Sequence, residues 1–197
     1  GKVFYKNALP NEIPQMSVGL LLDESGSMCS CDRCTYARSS AIILYDFCKA
    51  LHIPVTVYGH STSGSSVELY SYAEFESIDN DDKYRMMDIA ARGSNRDGAA
   101  LRFVAEQLVK RPEEVKILIL VSDGQPAAPG YYGSAAEEDL RGIKQEYRRK
   151  GVLFIAAAIG EDKQNIERIY GDSFMDITDL NQLPVKLTAA VKRHMRV

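Results

Sequence analysis

Four short runs of the chain, residues 17–22, 54–58, 115–121 and 152–158, are almost wholly apolar. None shows the polar alternation of a half-solvated strand, so each is expected to be buried on both faces, as the central strands of a mostly parallel sheet are. Between them the pattern changes to a helical period. Ala37, Ala41, Leu44, Cys48 and Leu51 fall on one stripe, and Leu101, Val104, Ala105 and Leu108 fall on another. Further helices are expected over 135–150 and over 179–195, the second capped by Asp179 and accommodating Pro184 only near its first turns. Shorter helices are expected near 83–91 and 163–169. A Ser/Gly-rich turn over 61–66 introduces an edge strand at 67–72. This alternation predicts an α/β, doubly wound fold of the Rossmann type. A mostly parallel central sheet is flanked by helices, with ligand sites at the carboxyl ends of the strands.

Composition narrows the class without changing that picture. The 197 residues suit one domain, expected over 17–197 after an N-terminal extension over 1–16. Apolar residues at 45% and charged residues at 26% are ordinary globular usage. A net charge of −3 supplies no positive field to gather nucleic acid or anionic lipid, so neither is an expected partner. No apolar run reaches the length of a membrane span, and the first residues lack the apolar stretch of a signal peptide. A cytoplasmic protein is therefore expected, and the start at Gly1 without a methionine suggests either an excised piece or a cleaved tag, with the natural chain extending further N-terminally. Cys29, Cys31 and Cys34 lie too close together for a disulfide framework, which also favours a reducing compartment. Cys48, on the first helical stripe, reads as a small buried thiol.

The candidate chemistry sits where the strands end. The first apolar run leads into Asp23-Glu24-Ser25-Gly26-Ser27, and the third leads into Ser122-Asp123-Gly124. Asp23 and Asp123 are thereby expected to face each other across neighbouring strands, with Ser25 and Ser27 between them. Two carboxylates with hydroxyls form a hard oxygen donor set, which suits Mg²⁺ or Mn²⁺ and not structural zinc.

Asp23-x-Ser25-x-Ser27 after an apolar strand, with Asp123-Gly124 after a later one, resembles the metal-ion-dependent adhesion site of von Willebrand factor A domains. The resemblance extends over about residues 17–195. It implies a parallel-centred sheet flanked by helices and one divalent cation, whose open coordination position takes an acidic side chain from a protein partner. That family's third loop usually supplies a threonine before a helix beginning Gly-x-Ala-Leu. Here the loop reads Gly93-Ser94-Asn95-Arg96-Asp97-Gly98-Ala99-Ala100-Leu101, which puts Asn95 in the threonine's place. Asp97 either reaches the ion or caps the helix and holds a coordinating water. The Asn-x-Asp-Gly loop is similar to the C-terminal A domains of the cobalt-chelatase T-subunit family, which work beside AAA+ ATPases in metal insertion into tetrapyrroles. That similarity implies a non-catalytic module at the C-terminal end of a larger protein.

Plainer readings stand beside these. Asp23, Ser25 and Ser27 would serve equally as caps in a strand-to-helix turn, and Asn95 or Asp97 as an ordinary helix cap. The close thiols Cys29, Cys31 and Cys34 would need His60, Cys48 or a partner to complete a metal site. Otherwise they form a redox-sensitive or partner-contacting loop, or an incidental one. His52, His60 and His194 are isolated from one another, and none is placed as a catalytic group. Tyr131 and Tyr132, in the loop after Asp123, form either a partner-contacting rim or ordinary loop packing. The competing function class is a metal-dependent phosphohydrolase with Asp23 as nucleophile and Asp123 as metal ligand. Against it, the position two residues beyond Asp23 is Ser25 and not a second acid. The chain also lacks a Walker-type phosphate loop and a Gly-x-Ser-x-Gly elbow.

Overall fold

The computed structural model describes residues 15–26, 28, 32–76, 81–90, 92–93, 97–122, 127–128, 131–158, 163–171, 174–176 and 179–194. The first apolar run becomes β1 (Met16–Asp23), followed by α1 (Arg33–Ala50), β2 (Val55–Ser63), β3 (Ser66–Ala73), α2 (Asp82–Met86), α3 (Asp97–Val109) and β4 (Val115–Ser122). A two-residue ladder pairs β5 (Ala127–Ala128) with β6 (Tyr131–Tyr132). After it come α4 (Gly133–Arg149), β7 (Val152–Ala158), α5 (Lys163–Tyr170), β8 (Phe174–Asp176) and, behind a 3₁₀ turn at Leu180–Gln182, α6 (Leu183–His194).

The main sheet has the order β3-β2-β1-β4-β7-β8, parallel throughout except for the antiparallel edge strand β3. The chain winds outwards from β1 in both directions, first through β2 and later through β4, so the order reverses at β1. A doubly wound sheet opens its crevice at such a reversal, above the carboxyl ends of the two central strands. Register fixes what stands there: Leu22 pairs with Val121 of β4, and Asp23 pairs with His60 of β2.

Both faces of the sheet are covered, as the unbroken apolar runs require. Val18, Leu20 and Leu22 point into a core completed by Ala41, Leu44 and Cys48 of α1 and by Leu187 and Val191 of α6. Leu21, Leu118 and Leu120 point the other way, onto Leu101, Val104 and Leu108 of α3 and Leu140 and Ile143 of α4. Gly19 lets α3 lie close to β1, because a Cβ there would stand 2.7 Å from Cγ1 of Val104.

Several elements differ from the sequence expectation, each for a tertiary reason. β2 runs on through Ser61 and Thr62, both buried, so the expected 61–66 turn narrows to Gly64 and Ser65. The helix expected near 83–91 stops at Met86; local turns continue to Ile89, and from there the backbone bonds to distant partners. The Ile89 carbonyl accepts from Arg38 at 2.6 Å, and the Ala90 amide donates to Glu24 at 2.9 Å. Pro184 is the second residue of α6, where its missing amide removes no intrahelical bond. β8, only three residues long, carries too little sequence to show a period. Among the described residues no helix is long and apolar enough to cross a membrane.

Candidate metal centre

Asp23 closes β1, and its side chain is 1% exposed. A carboxylate so buried needs donors on both oxygens. Its Oδ1 accepts the Ser25 backbone N–H at 2.8 Å, and its Oδ2 accepts the Ser122 hydroxyl at 3.0 Å. The first bond folds the chain back immediately after the strand. The second ties the end of β1 to the end of β4, at the order reversal. Beyond Ser25, the Met28 amide donates to the Ser25 carbonyl at 3.0 Å, and the Met28 side chain is fully buried, which anchors the far side of the turn.

Of the residues expected at the ion, Asp23 and Ser25 are thus brought together under the mouth of the crevice. Ser27, Asn95 and Asp123 lie outside the described residues, as does the side chain of Asp97, whose backbone begins α3. Asp123 follows Ser122 directly in sequence. Among the described residues no three His, Cys, Asp or Glu side chains converge. The described part of the site therefore offers one carboxylate with the Ser122 hydroxyl beside it, hard oxygen donors whose chemistry suits Mg²⁺ or Mn²⁺ better than a soft ion.

Glu24 and Ser122 are the residues that the sequence reading missed. Glu24 points away from the crevice and is 1% exposed. Its Oε1 accepts from the Tyr72 hydroxyl at 2.7 Å, from the Ala90 amide at 2.9 Å and from Arg92 Nε at 3.3 Å. Its backbone is engaged as well: the Glu24 amide donates to the His60 carbonyl at 2.9 Å, and the Arg92 amide donates to the Glu24 carbonyl at 2.5 Å. Arg92 also stacks on Tyr70, 4.2 Å from the ring centroid. Burial, then the Glu24 carboxylate, raises the Tyr72 hydroxyl above its ordinary range, so it remains a proton donor. Space for Glu24 comes from Gly59 of β2, where a Cβ would meet Oε2 at 1.7 Å. That glycine inside β2 was the available signal of a close approach.

The cysteine cluster falls partly outside the described residues, at Cys29 and Cys31. Cys34, half-buried in the first turn of α1, donates its thiol to the Ile89 carbonyl at 3.5 Å, while Cys48 is a free buried thiol. Burial pushes Cys48 from its ordinary 9 up to about 12, with Lys49 only partly opposing. Above pH 9 the unfolded chain loses this proton while the folded protein keeps it, so Cys48 costs stability as pH rises from 9 towards about 12. Urea unfolding at a series of pH values should show Cys48→Ala losing less stability with rising pH than the wild type. The difference should reach about 1.4 kcal/mol per pH unit, and parallel curves would contradict the assignment.

Comparison with known proteins agrees with this architecture. Among solved structures, the von Willebrand factor type A protein of Catenulispora acidiphila superposes with a TM-score of 0.60 at 17% identity, covering 89% of this chain and 42% of that one. The vWF domain of the pilus tip protein Mfa5 from Porphyromonas gingivalis gives 0.64 at 9% identity, covering 92% and 96%. Identities so low speak for the fold alone. In sequence, the chain is 25% identical to the uncharacterised protein YojO of Bacillus subtilis over 206 residues, 98% of this chain and 32% of YojO. It is 34% identical to protein NorD of Brucella suis over 97 residues, 48% of this chain and 15% of NorD. The chain thus spans a third or less of the length of these curated relatives. The family described as the cobalamin biosynthesis protein CobT VWA domain matches residues 83–195, more than half of the chain. The chain belongs to the CobT VWA domain family.

Proposed function

We propose that this chain is a divalent-ion-dependent protein-binding module. The observation that carries the reading is the Asp23 carboxylate, buried at the order reversal of the sheet and held there by the Ser25 amide and the Ser122 hydroxyl. On this reading Mg²⁺ or Mn²⁺ binds above Asp23 through Ser25, Ser27 and Asp123, with Asn95 or Asp97 contributed by the third loop. A partner's Glu or Asp fills the open position, since a hard cation favours a carboxylate oxygen. Family membership supports a chelatase-like setting: a non-catalytic, cytoplasmic module, part of a larger protein, that engages an AAA+ ATPase during metal insertion. The phosphohydrolase alternative is disfavoured by the sequence that follows Asp23. The position two residues beyond it is Ser25, where a nucleophilic-aspartate phosphatase wants a second acid.

The test is affinity capture from lysate of the source organism, in Mg²⁺ or in EDTA, with wild type and Ser27→Ala as baits. An AAA+ ATPase retained by the wild type in Mg²⁺, and lost both in EDTA and with the variant, is the expected result. Retention under all conditions would place the contact on another surface. Phosphatase turnover lost on Asp23→Asn would move the protein to the enzyme class.

A further inference from the structure

The residue between Asp23 and Ser25 does something that neither neighbour does. Glu24 joins the loop after β1 to the segment that leads into α3, and it does so through side chain and backbone together. Its Oε1 collects Ala90 N and Arg92 Nε, and its carbonyl collects Arg92 N. Two further bonds complete the seam: Gly26 N donates to the Gly93 carbonyl at 2.6 Å, and Gly93 N donates to the Ser61 hydroxyl at 2.8 Å. Tyr72 at 2.7 Å from Oε1 and Gly59 below Oε2 fix the carboxylate from the side of β2 and β3. Ala90, Arg92 and Gly93 are therefore stitched to the first loop, a few residues before Asn95 and Asp97 in the sequence.

We propose that Glu24 is a positioning residue of the ion site: it touches no ion, and it sets ion affinity by fixing Ala90 and Arg92 against the Asp23–Ser25 turn. The inference rests on the ion-dependent reading above and adds to it the residue that brings the first and third loops together. Such supporting contacts around a metal typically change affinity by about 10–100-fold when removed. A buried carboxylate that served stability alone would change melting temperature and leave the ion's affinity as it was.

The experiment compares wild type, Glu24→Ala, Glu24→Gln, Arg92→Ala and Thr56→Val. Each is measured for Mn²⁺ affinity by calorimetry, for melting temperature, and for amide hydrogen exchange at Ala90, Arg92 and Gly93 in the absence of metal. Thr56→Val removes another buried hydrogen bond, from Thr56 Oγ1 to the Ala73 carbonyl, away from the loops. It is expected to lower melting temperature and leave Mn²⁺ affinity unchanged. Glu24→Ala should weaken Mn²⁺ binding at least about tenfold and speed exchange at all three amides, while Glu24→Gln, which keeps an acceptor at Oε1, retains most of the affinity. Arg92 is 37% exposed at its side chain, so its truncation leaves no enclosed cavity. Its alanine variant should therefore show the same loss of affinity if Glu24→Ala does not fold. Wild-type affinity in both Glu24→Ala and Arg92→Ala would overturn the proposal. If the wild type itself binds no Mn²⁺, the ion-dependent reading fails and positioning of an ion site is overturned with it. Faster exchange in Glu24→Ala would then mark the seam as structural.

Discussion

Alanine in place of Asp23 is expected to give a folded protein whose melting temperature no longer rises with Mn²⁺. The wild type, with Mn²⁺ at a hundred times its dissociation constant, gains about 2.7 kcal/mol of stability by mass action. For a chain of this size that corresponds to an upward shift of roughly 5–10 °C. In the variant the gain vanishes with the carboxylate. Its metal-free stability changes by less, because two effects oppose one another. The Ser25 amide and the Ser122 hydroxyl lose their acceptor, at about 1–3 kcal/mol, while a buried charge no longer has to be desolvated. A Mn²⁺-induced shift of the same size in both proteins would remove Asp23 from the site.

Gly59→Ala is expected to be strongly damaging. The new Cβ would lie 1.7 Å from Oε2 of Glu24, 2.7 Å from its Cδ and 2.9 Å from Cε2 of Tyr72. The carboxylate has to leave its place, and Tyr72, Ala90 and Arg92 lose their common acceptor. Disrupting a buried charged network of this kind costs about 3–5 kcal/mol. In a Glu24→Ala background the obstruction is mostly gone, so the two substitutions should be strongly non-additive, by roughly 1–3 kcal/mol in a double-mutant cycle. Urea unfolding of the four proteins measures this. A Gly59→Ala protein as stable as the wild type would refute the packing of Glu24 on β2.

The central strands were legible because burial on both faces leaves an unbroken apolar run, and the helices α1 and α3 because one covered face leaves a stripe. Elements whose ends are set by other parts of the molecule were not. Beyond α2 and the local turns after it, Ile89 and Ala90 bond to Arg38 and Glu24, partners distant in sequence. Ser61 and Thr62 look like turn residues, yet they belong to β2, with Ser61 bonded to Gly93. The position of Asp23 and Ser25 at the end of β1 was legible because the apolar run stops there. Ser122 was passed over as the last residue of a strand, although its hydroxyl joins β4 to Asp23. Glu24 was passed over because a charged residue in a loop ordinarily faces solvent, and the four residues that bury it are scattered from Gly59 to Arg92.

Electron paramagnetic resonance tests most directly whether the crevice above Asp23 holds a divalent ion. Mn²⁺ free in solution gives a sharp six-line signal that broadens on binding, so titrating the metal-free protein counts bound ions directly. The expected result is one bound Mn²⁺ per chain, displaced by excess Mg²⁺ and absent in Asp23→Ala. A free-ion signal that grows in proportion to added Mn²⁺ from the first aliquot, alike in wild type and variant, would contradict it.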